Sequence, residues 1–283
     1  MKTLLNKIAI VTGGTRAIGK AITSSLLRDG AKVIVCSRNQ KEVDAAVKEL
    51  SSLGEISGLV ADVSQQKDAE TFVNHVLKKF GTVDILVNNA GIYGPIGPLE
   101  ENDPQKWVLA FQINMFGMMF MTQQVIPSMK KQKSGKIINL AGGGVGGKRP
   151  LARFTAYYSS KTAVVAFTEA MGAELAEFGI QVNCISPGAV VSKFTEQLLA
   201  DGKDKAGNMM YEQALKQKET GGDPPELAGE CVAFLASNAA DHINGKMISA
   251  KWEKASDLKK MKPMKENLYN LRRIDDTFFY EKK

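Results

Sequence analysis

Residues 7–19 read KIAIVTGGTRAIG, and this stretch decides the fold. The β-branched run ending at Thr12 has the composition of a strand buried on both faces. It passes directly into a glycine turn and then into a segment of helical period from about Ala17 to Asp29. Outward from there the same alternation repeats. AKVIVC (31–36) precedes a helix from about Lys41, GLVA (58–61) precedes a helix over 66–79, and VDILVNN (83–89) precedes a long helix over about 104–132. KIINLA (136–141) and a helix over about 155–177 lead to IQVNCIS (180–186), so βαβαβ occurs twice.

Continuous apolar strands separated by helices predict a parallel sheet covered on both faces, because parallel pairing needs crossover connections. Right-handed crossovers make this an α/β, doubly wound, Rossmann-type arrangement in one domain. After Pro187 the alternation breaks into a polar, helix-prone region, and residues 189–222 are expected to cover a substrate at the carboxyl end of the sheet. A helix over 225–236 and a strand KMISA (246–250) complete the body, which is expected to span 1–250. Residues 251–283 form a basic C-terminal arm whose Leu268, Tyr269, Leu271, Ile274, Phe278 and Phe279 predict packing rather than disorder.

With 283 residues and 44% hydrophobic content, the chain can bury a sizeable core without metals or disulfides. Cys36, Cys184 and Cys231 lie far apart in apolar runs, which predicts buried free thiols in a reducing compartment and argues for a cytoplasmic protein. The N-terminus is unlike a secretory signal, and the apolar stretch 107–126 contains Gln112 and Asn114, which would be unpaired in lipid; no membrane span is expected. The arm carries ten Lys or Arg against six Asp or Glu, so four of the net +7 charges lie there, and no nucleic-acid role is expected of the body. No residue spacing suggests a metal site.

A glycine turn between strand and helix presents backbone N–H groups and a helix N-terminus to a pyrophosphate. Together with NNAG at 88–91 and YYSSK at 157–161, TGGTRAIG at 12–19 resembles the short-chain dehydrogenase/reductase family over residues 7–250. The resemblance implies that Gly13, Thr15, Arg16, Ile18 and Gly19 surround the diphosphate and adenosine of a dinucleotide. It implies too that Asp62 and Val63 hold the adenine edge, that Asn89, Ala90 and Gly91 line the passage to the nicotinamide, and that Pro187, Gly188 and Val190 border the carboxamide. Ala17 stands where the family usually has glycine; a helical residue with negative φ would carry it without strain. After Cys36 the second strand ends in Ser37 and Arg38, with no carboxylate, and this pair, with Arg16, suits the 2′-phosphate of NADP(H).

Tyr157 and Lys161 are four residues apart in a predicted helix and leave it on one face. An ammonium beside the phenol is expected to favour its ionised form and lower its pKa. By resemblance, Lys161 also anchors the nicotinamide ribose and Asn114 holds a water in the proton path. The family's serine after the fifth strand is missing: Ala141 or Gly142 occupies its place, according to where the loop gap falls. Losing one donor to a developing oxyanion costs about 3 to 4 kcal/mol. A slow enzyme, another donor (Thr155, Ser159 or a backbone N–H of the glycine loop), and a non-catalytic NADP(H)-binding scaffold or sensor all follow from that absence.

The expected activity is hydride transfer between nicotinamide and a small-molecule carbonyl, a ketone or the matching secondary alcohol. Lys148, Arg149 and Arg153 are candidate contacts for an anionic substrate group, and Phe194, Leu198, Leu199, Met209, Met210 and Tyr211 are candidate cover lining. The faces Phe116, Met119, Phe120 and Val164, Phe167, Met171 belong to helices that pair between subunits in the family, so a homodimer or homotetramer is expected.

Overall fold

The computed structural model describes residues 2–142, 144–146, 150–260 and 269–271. Seven parallel strands form one sheet, β1 (Ile8–Thr12), β2 (Lys32–Ser37), β3 (Ile56–Val60), β4 (Ile85–Asn88), β5 (Gly135–Leu140), β6 (Ile180–Ser186) and β7 (Met247–Ser249), in the order β3-β2-β1-β4-β5-β6-β7. The order reverses between β1 and β4, and the crevice at the carboxyl ends of those strands is where such sheets receive ligands. Alternation along β1 explains the layering. Ala9 and Val11 face one core with α1 (Ala17–Arg28) and α9 (Glu226–Ala236), while Ile8 and Ile10 face a second core with α3 (Gln66–Phe80) and α5 (Gly117–Gln132).

Two elements differ from the sequence reading, and the cover is helical as expected. β3 starts two residues earlier than expected, since Ile56 and Ser57 pair with Val33 and Ile34 of β2; its Gly58 lets α2 (Gln40–Leu50) approach closely, a Cβ there lying 2.5 Å from Val43 Cγ1. The long helix is two helices, α4 (Pro104–Phe111) and α5, joined by a π-helical turn at Gln112–Phe116. Its extra residue rotates Asn114 inward, to 2% exposure, and leaves Phe116 exposed. The cover consists of α7 (Lys193–Ala206), broken at Gly202, and α8 (Asn208–Thr220).

α6 (Thr155–Leu175) runs behind β5 and β6, and α10 (Ala255–Leu258) follows β7. Of the arm's apolar residues, Tyr269 packs on the core beside α9 and accepts a backbone hydrogen bond from Met247, and Leu271 packs near Ala141. Leu268, Ile274, Phe278 and Phe279 lie outside the described residues.

Candidate active site

A cavity of about 620 Å³ opens over the switch between β1 and β4 and extends beneath the cover. Its floor is the glycine turn. Thr12 holds that turn in place, its Oγ1 accepting from the backbone N–H groups of Asn89 (3.0 Å) and Ala90 (3.1 Å), while Asn89 Nδ2 donates to the carbonyls of Thr12 (2.9 Å) and Gly13 (3.0 Å). This cross-brace was missed in the sequence reading, although Thr12 opens the motif. Gly19 is obligatory, since a Cβ there would lie 2.1 Å from the Gly13 carbonyl oxygen. No side chain caps α1 and its first turn carries no acid, so its N-terminal N–H groups suit a diphosphate.

Ala17 departs from the expectation. Its φ is +43°, in the left-handed region, so the turn enters the helix through a conformation that glycine adopts without strain.

Gly13, Thr15, Arg16, Ile18, Gly19, Ser37, Arg38, Asp62, Val63, Asn89, Ala90, Gly91, Pro187, Gly188 and Val190 all line this one cavity, as do Tyr157 and Lys161. Asp62 turns one carboxylate oxygen onto Ser64, accepting from its N–H at 3.0 Å and its hydroxyl at 2.8 Å. At the end of β2 the expectation of no carboxylate holds for the strand but not for the space. Glu42, one turn into α2, accepts from Ser37 Oγ (3.2 Å) and Arg16 Nη1 (2.9 Å) and meets Lys193 Nζ at 3.5 Å. The loop after β6 is fastened by Asp223, which accepts from the Ala189 N–H at 2.8 Å and pairs with Lys251 at 2.8 Å.

At the chemical end, Tyr157 and Lys161 share one face of α6 and open into the cavity. Lys161 Nζ donates to the Leu140 carbonyl at 2.7 Å, and burial lowers its pKa to about 8. Burial, with the nearby Tyr93 phenol adding in the same direction, pushes the Tyr157 phenol well above its ordinary range. The expected acidification by Lys161 is therefore not met, because desolvation outweighs any field from an ammonium turned onto the β5 carbonyl.

Asn114 lies behind the cavity wall rather than in it. Its Oδ1 accepts from the Ile92 N–H, and its Nδ2 donates to the Ile92 carbonyl and to Ser160 Oγ, each at 2.9 Å. The side chain thus ties the segment after β4 to α6. A Cβ on Gly91 would lie 3.1 Å from Asn114 Oδ1 and 3.4 Å from Lys161 Nζ, so glycine is what lets the two approach that backbone.

Of the two positions after β5, Ala141 lines the cavity and Gly142 faces the phenol, where a Cβ would lie 2.6 Å from Tyr157 Oη. Neither proposed side-chain substitute lines the cavity: Thr155 Oγ1 accepts from Trp107 Nε1 at 3.2 Å, and Ser159 is exposed. Around the phenol stand Tyr93, meeting it edge-on at 4.8 Å, and Phe194, which stacks on Tyr93 at 4.5 Å. Leu198 and Met210 of the cover line the cavity, whereas Met209 faces solvent, and Leu199 and Tyr211 pack behind. Arg153 is turned away from the cavity and donates to the carbonyls of Asp204 and Lys205 at the end of α7; Lys148 and Arg149 lie outside the described residues.

The family model for short chain dehydrogenase matches residues 7–203. The chain belongs to the short-chain dehydrogenase family. Among curated relatives of this short-chain dehydrogenase, dehydrogenase/reductase SDR family member 4 of Oryctolagus cuniculus is 37% identical over 246 residues, covering 87% of this chain and 92% of the relative. The protein of that name from Homo sapiens is 35% identical, with 87% and 86% covered. An actinorhodin polyketide ketoreductase variant solved with NADPH superposes at a TM-score of 0.78 and 31% identity, over 86% of this chain and 95% of that one. An NAD⁺-bound xylitol dehydrogenase gives 0.79 at 25% identity, over 87% and 98%. Among the described residues no helix is long and apolar enough to cross a membrane.

Proposed function

We propose that this short-chain dehydrogenase is an NADP(H)-dependent reductase of ketones, with Tyr157 as the acid. The observation that carries the reading is the opening of Tyr157 and Lys161 into the same cavity as the glycine turn and the Ser37–Arg38 end of β2. Gly13, Thr15, Arg16, Ile18 and Gly19 would hold the diphosphate and adenosine, Ser37, Arg38 and Arg16 a 2′-phosphate, and Asp62 and Val63 the adenine. Asn89, Ala90, Gly91, Pro187, Gly188 and Val190 would line the nicotinamide end. Relatives solved with NADPH and with NADP support that class of cofactor.

When bound, the nicotinamide supplies or accepts the hydride. Tyr157, kept neutral by burial, is in the form that donates a proton to the oxygen of a carbonyl as it becomes an alkoxide, a base strong enough to take it from even a high-pKa phenol. Lys161 supplies hydrogen-bond donors at the ribose side and, charged below about pH 8, stabilises the phenolate left behind. Asn114 positions α6 against the segment after β4. With no hydroxyl at Gly142, the second donor to the substrate oxygen is Tyr93, whose ring contacts that of Tyr157 and lines the same cavity.

Residues 1–250 act as the reductase unit, with 189–222 as its cover and 251–283 as an arm. Exposed Val108, Leu109 and Phe116 on α4 and the π-helical turn favour pairing of subunits, and three buried free cysteines suit a reducing, cytoplasmic setting. The deciding experiment follows NADPH consumption over a panel of ketones with wild type and Tyr157→Phe. Turnover should fall by about 10² to 10⁴-fold in the variant while NADPH binding holds. Binding without turnover on any carbonyl in the wild type would replace the reductase with a non-catalytic nucleotide binder.

A further inference from the structure

Among the described residues, Glu42 is the one carboxylate in hydrogen-bond contact with Arg16 and Ser37, donors assigned to a 2′-phosphate. Its Oε1 takes Arg16 Nη1 at 2.9 Å and faces Lys193 Nζ at 3.5 Å, while its Oε2 accepts from Ser37 Oγ at 3.2 Å. The three partners come from the glycine turn, the end of β2 and the first residue of the cover helix, and all three line the cavity. The carboxylate therefore uses the same N–H and O–H groups that an incoming phosphate needs.

Resting on the NADP(H) reading above, we propose that Glu42 is the residue that sets how strongly the site discriminates NADP(H) from NAD(H). It does so by competing with the 2′-phosphate for Arg16, Ser37 and Lys193. A 2′-phosphate carries about −1.5 to −2 charges at neutral pH. To bind, it must draw Arg16 and Ser37 away from Glu42 and tolerate that carboxylate nearby. The 2′-hydroxyl of NAD(H) has no such conflict, because a carboxylate is its natural acceptor. Glu42 thus weakens the phosphorylated cofactor and leaves the unphosphorylated one nearly untouched, so the chain discriminates less than Ser37, Arg38 and Arg16 alone would predict. The pairs are partly exposed, so the competition is a matter of moderate free energy and sensitive to salt.

The test reads the phosphate subsite without turnover. Calorimetric titration of 2′,5′-ADP and of 5′-AMP into wild type and Glu42→Gln, at low salt, separates the phosphate from the rest of the nucleotide. Glutamine keeps the shape and removes the charge. The proposal expects Glu42→Gln to bind 2′,5′-ADP about tenfold more tightly, with 5′-AMP changed less than about twofold and the gain shrinking in high salt. Unchanged or weaker 2′,5′-ADP binding, in a variant that melts like the wild type, would overturn it and make Glu42 a support for Arg16 and Ser37. Should Glu42→Gln fail to melt like the wild type, Glu42→Ala serves the same comparison with the same expected direction. Failure of the parent reading looks different: wild type binding 5′-AMP as tightly as 2′,5′-ADP, with Arg38→Asp leaving both unchanged, would remove the 2′-phosphate site and the proposal together.

Discussion

A Cβ on Gly142 would stand 2.6 Å from the Tyr157 phenol oxygen and 2.8 Å from its Cζ. The tyrosine thus occupies the space that a side chain after β5 would need. It cannot retreat easily, being held edge-on by Tyr93 at 4.8 Å and by Phe194 at 5.9 Å. Returning the family's hydroxyl with Gly142→Ser is therefore expected to overpack the site, costing about 1 to 3 kcal/mol of stability, and to lower turnover. Urea unfolding and steady-state rates check this; a serine variant that is as stable and faster would mean that the phenol moves freely.

Tyr93→Phe should separate donor from packing. The ring contacts with Phe194 and Phe154 survive in phenylalanine, and only the hydroxyl is lost. If that hydroxyl is the second donor to the substrate oxygen, kcat should fall by about 10²-fold with the melting temperature and NADPH affinity unchanged. A kcat within about twofold of wild type would return the role to a backbone N–H.

Lys161 carries a pH signature. Burial lowers its pKa from 10.5 to about 8, so between these values the unfolded chain holds a proton that the folded chain has released. Stability contributed at this site therefore rises as pH climbs through that window, and below pH 8 the folded protein bears the full cost of a buried ammonium. The buried thiols Cys36, Cys184 and Cys231, each raised to about 12, act oppositely above pH 9, because folding retains their protons. Comparison with Lys161→Met cancels Cys36 and Cys231, and keeping the measurement at or below pH 9 keeps the Cys184 contribution, which is coupled to Lys161, small. The stability of wild type relative to the variant should increase by about 1 kcal/mol from pH 8 to 9 in urea unfolding. A constant difference would show that Lys161 is solvated.

The parallel strands were legible from apolar runs such as Ile8–Thr12, and the shared face of Tyr157 and Lys161 from their one-turn spacing, whereas the other cavity residues were named through the family resemblance. What escaped depends on contacts between distant segments. Glu42 meets Lys193 across 151 residues, and Arg153 finds the end of α7 rather than a substrate. The direction of the Tyr157 shift was misread because spacing reports adjacency on a helix but not burial, and burial wins here. The inward turn of Asn114 follows from the π-helical insertion, which no periodicity in GlnIleAsnMetPhe announces.

Ala17 offers a test with two opposite outcomes at one residue. Its φ of +43° costs an L-residue about 1 to 2 kcal/mol, at a residue that lines the cavity. Glycine relieves that strain and loses part of the gain through the greater entropy of its unfolded chain, about 0.4 to 1 kcal/mol. Ala17→Gly should therefore raise the melting temperature by a few degrees at most, about 2 °C, and Ala17→Val, adding a branched side chain at the same φ, should lower it by more. Differential scanning calorimetry of both variants decides the matter. A valine variant as stable as wild type would mean that the turn enters α1 with negative φ, and the strain assigned to this residue would then be absent.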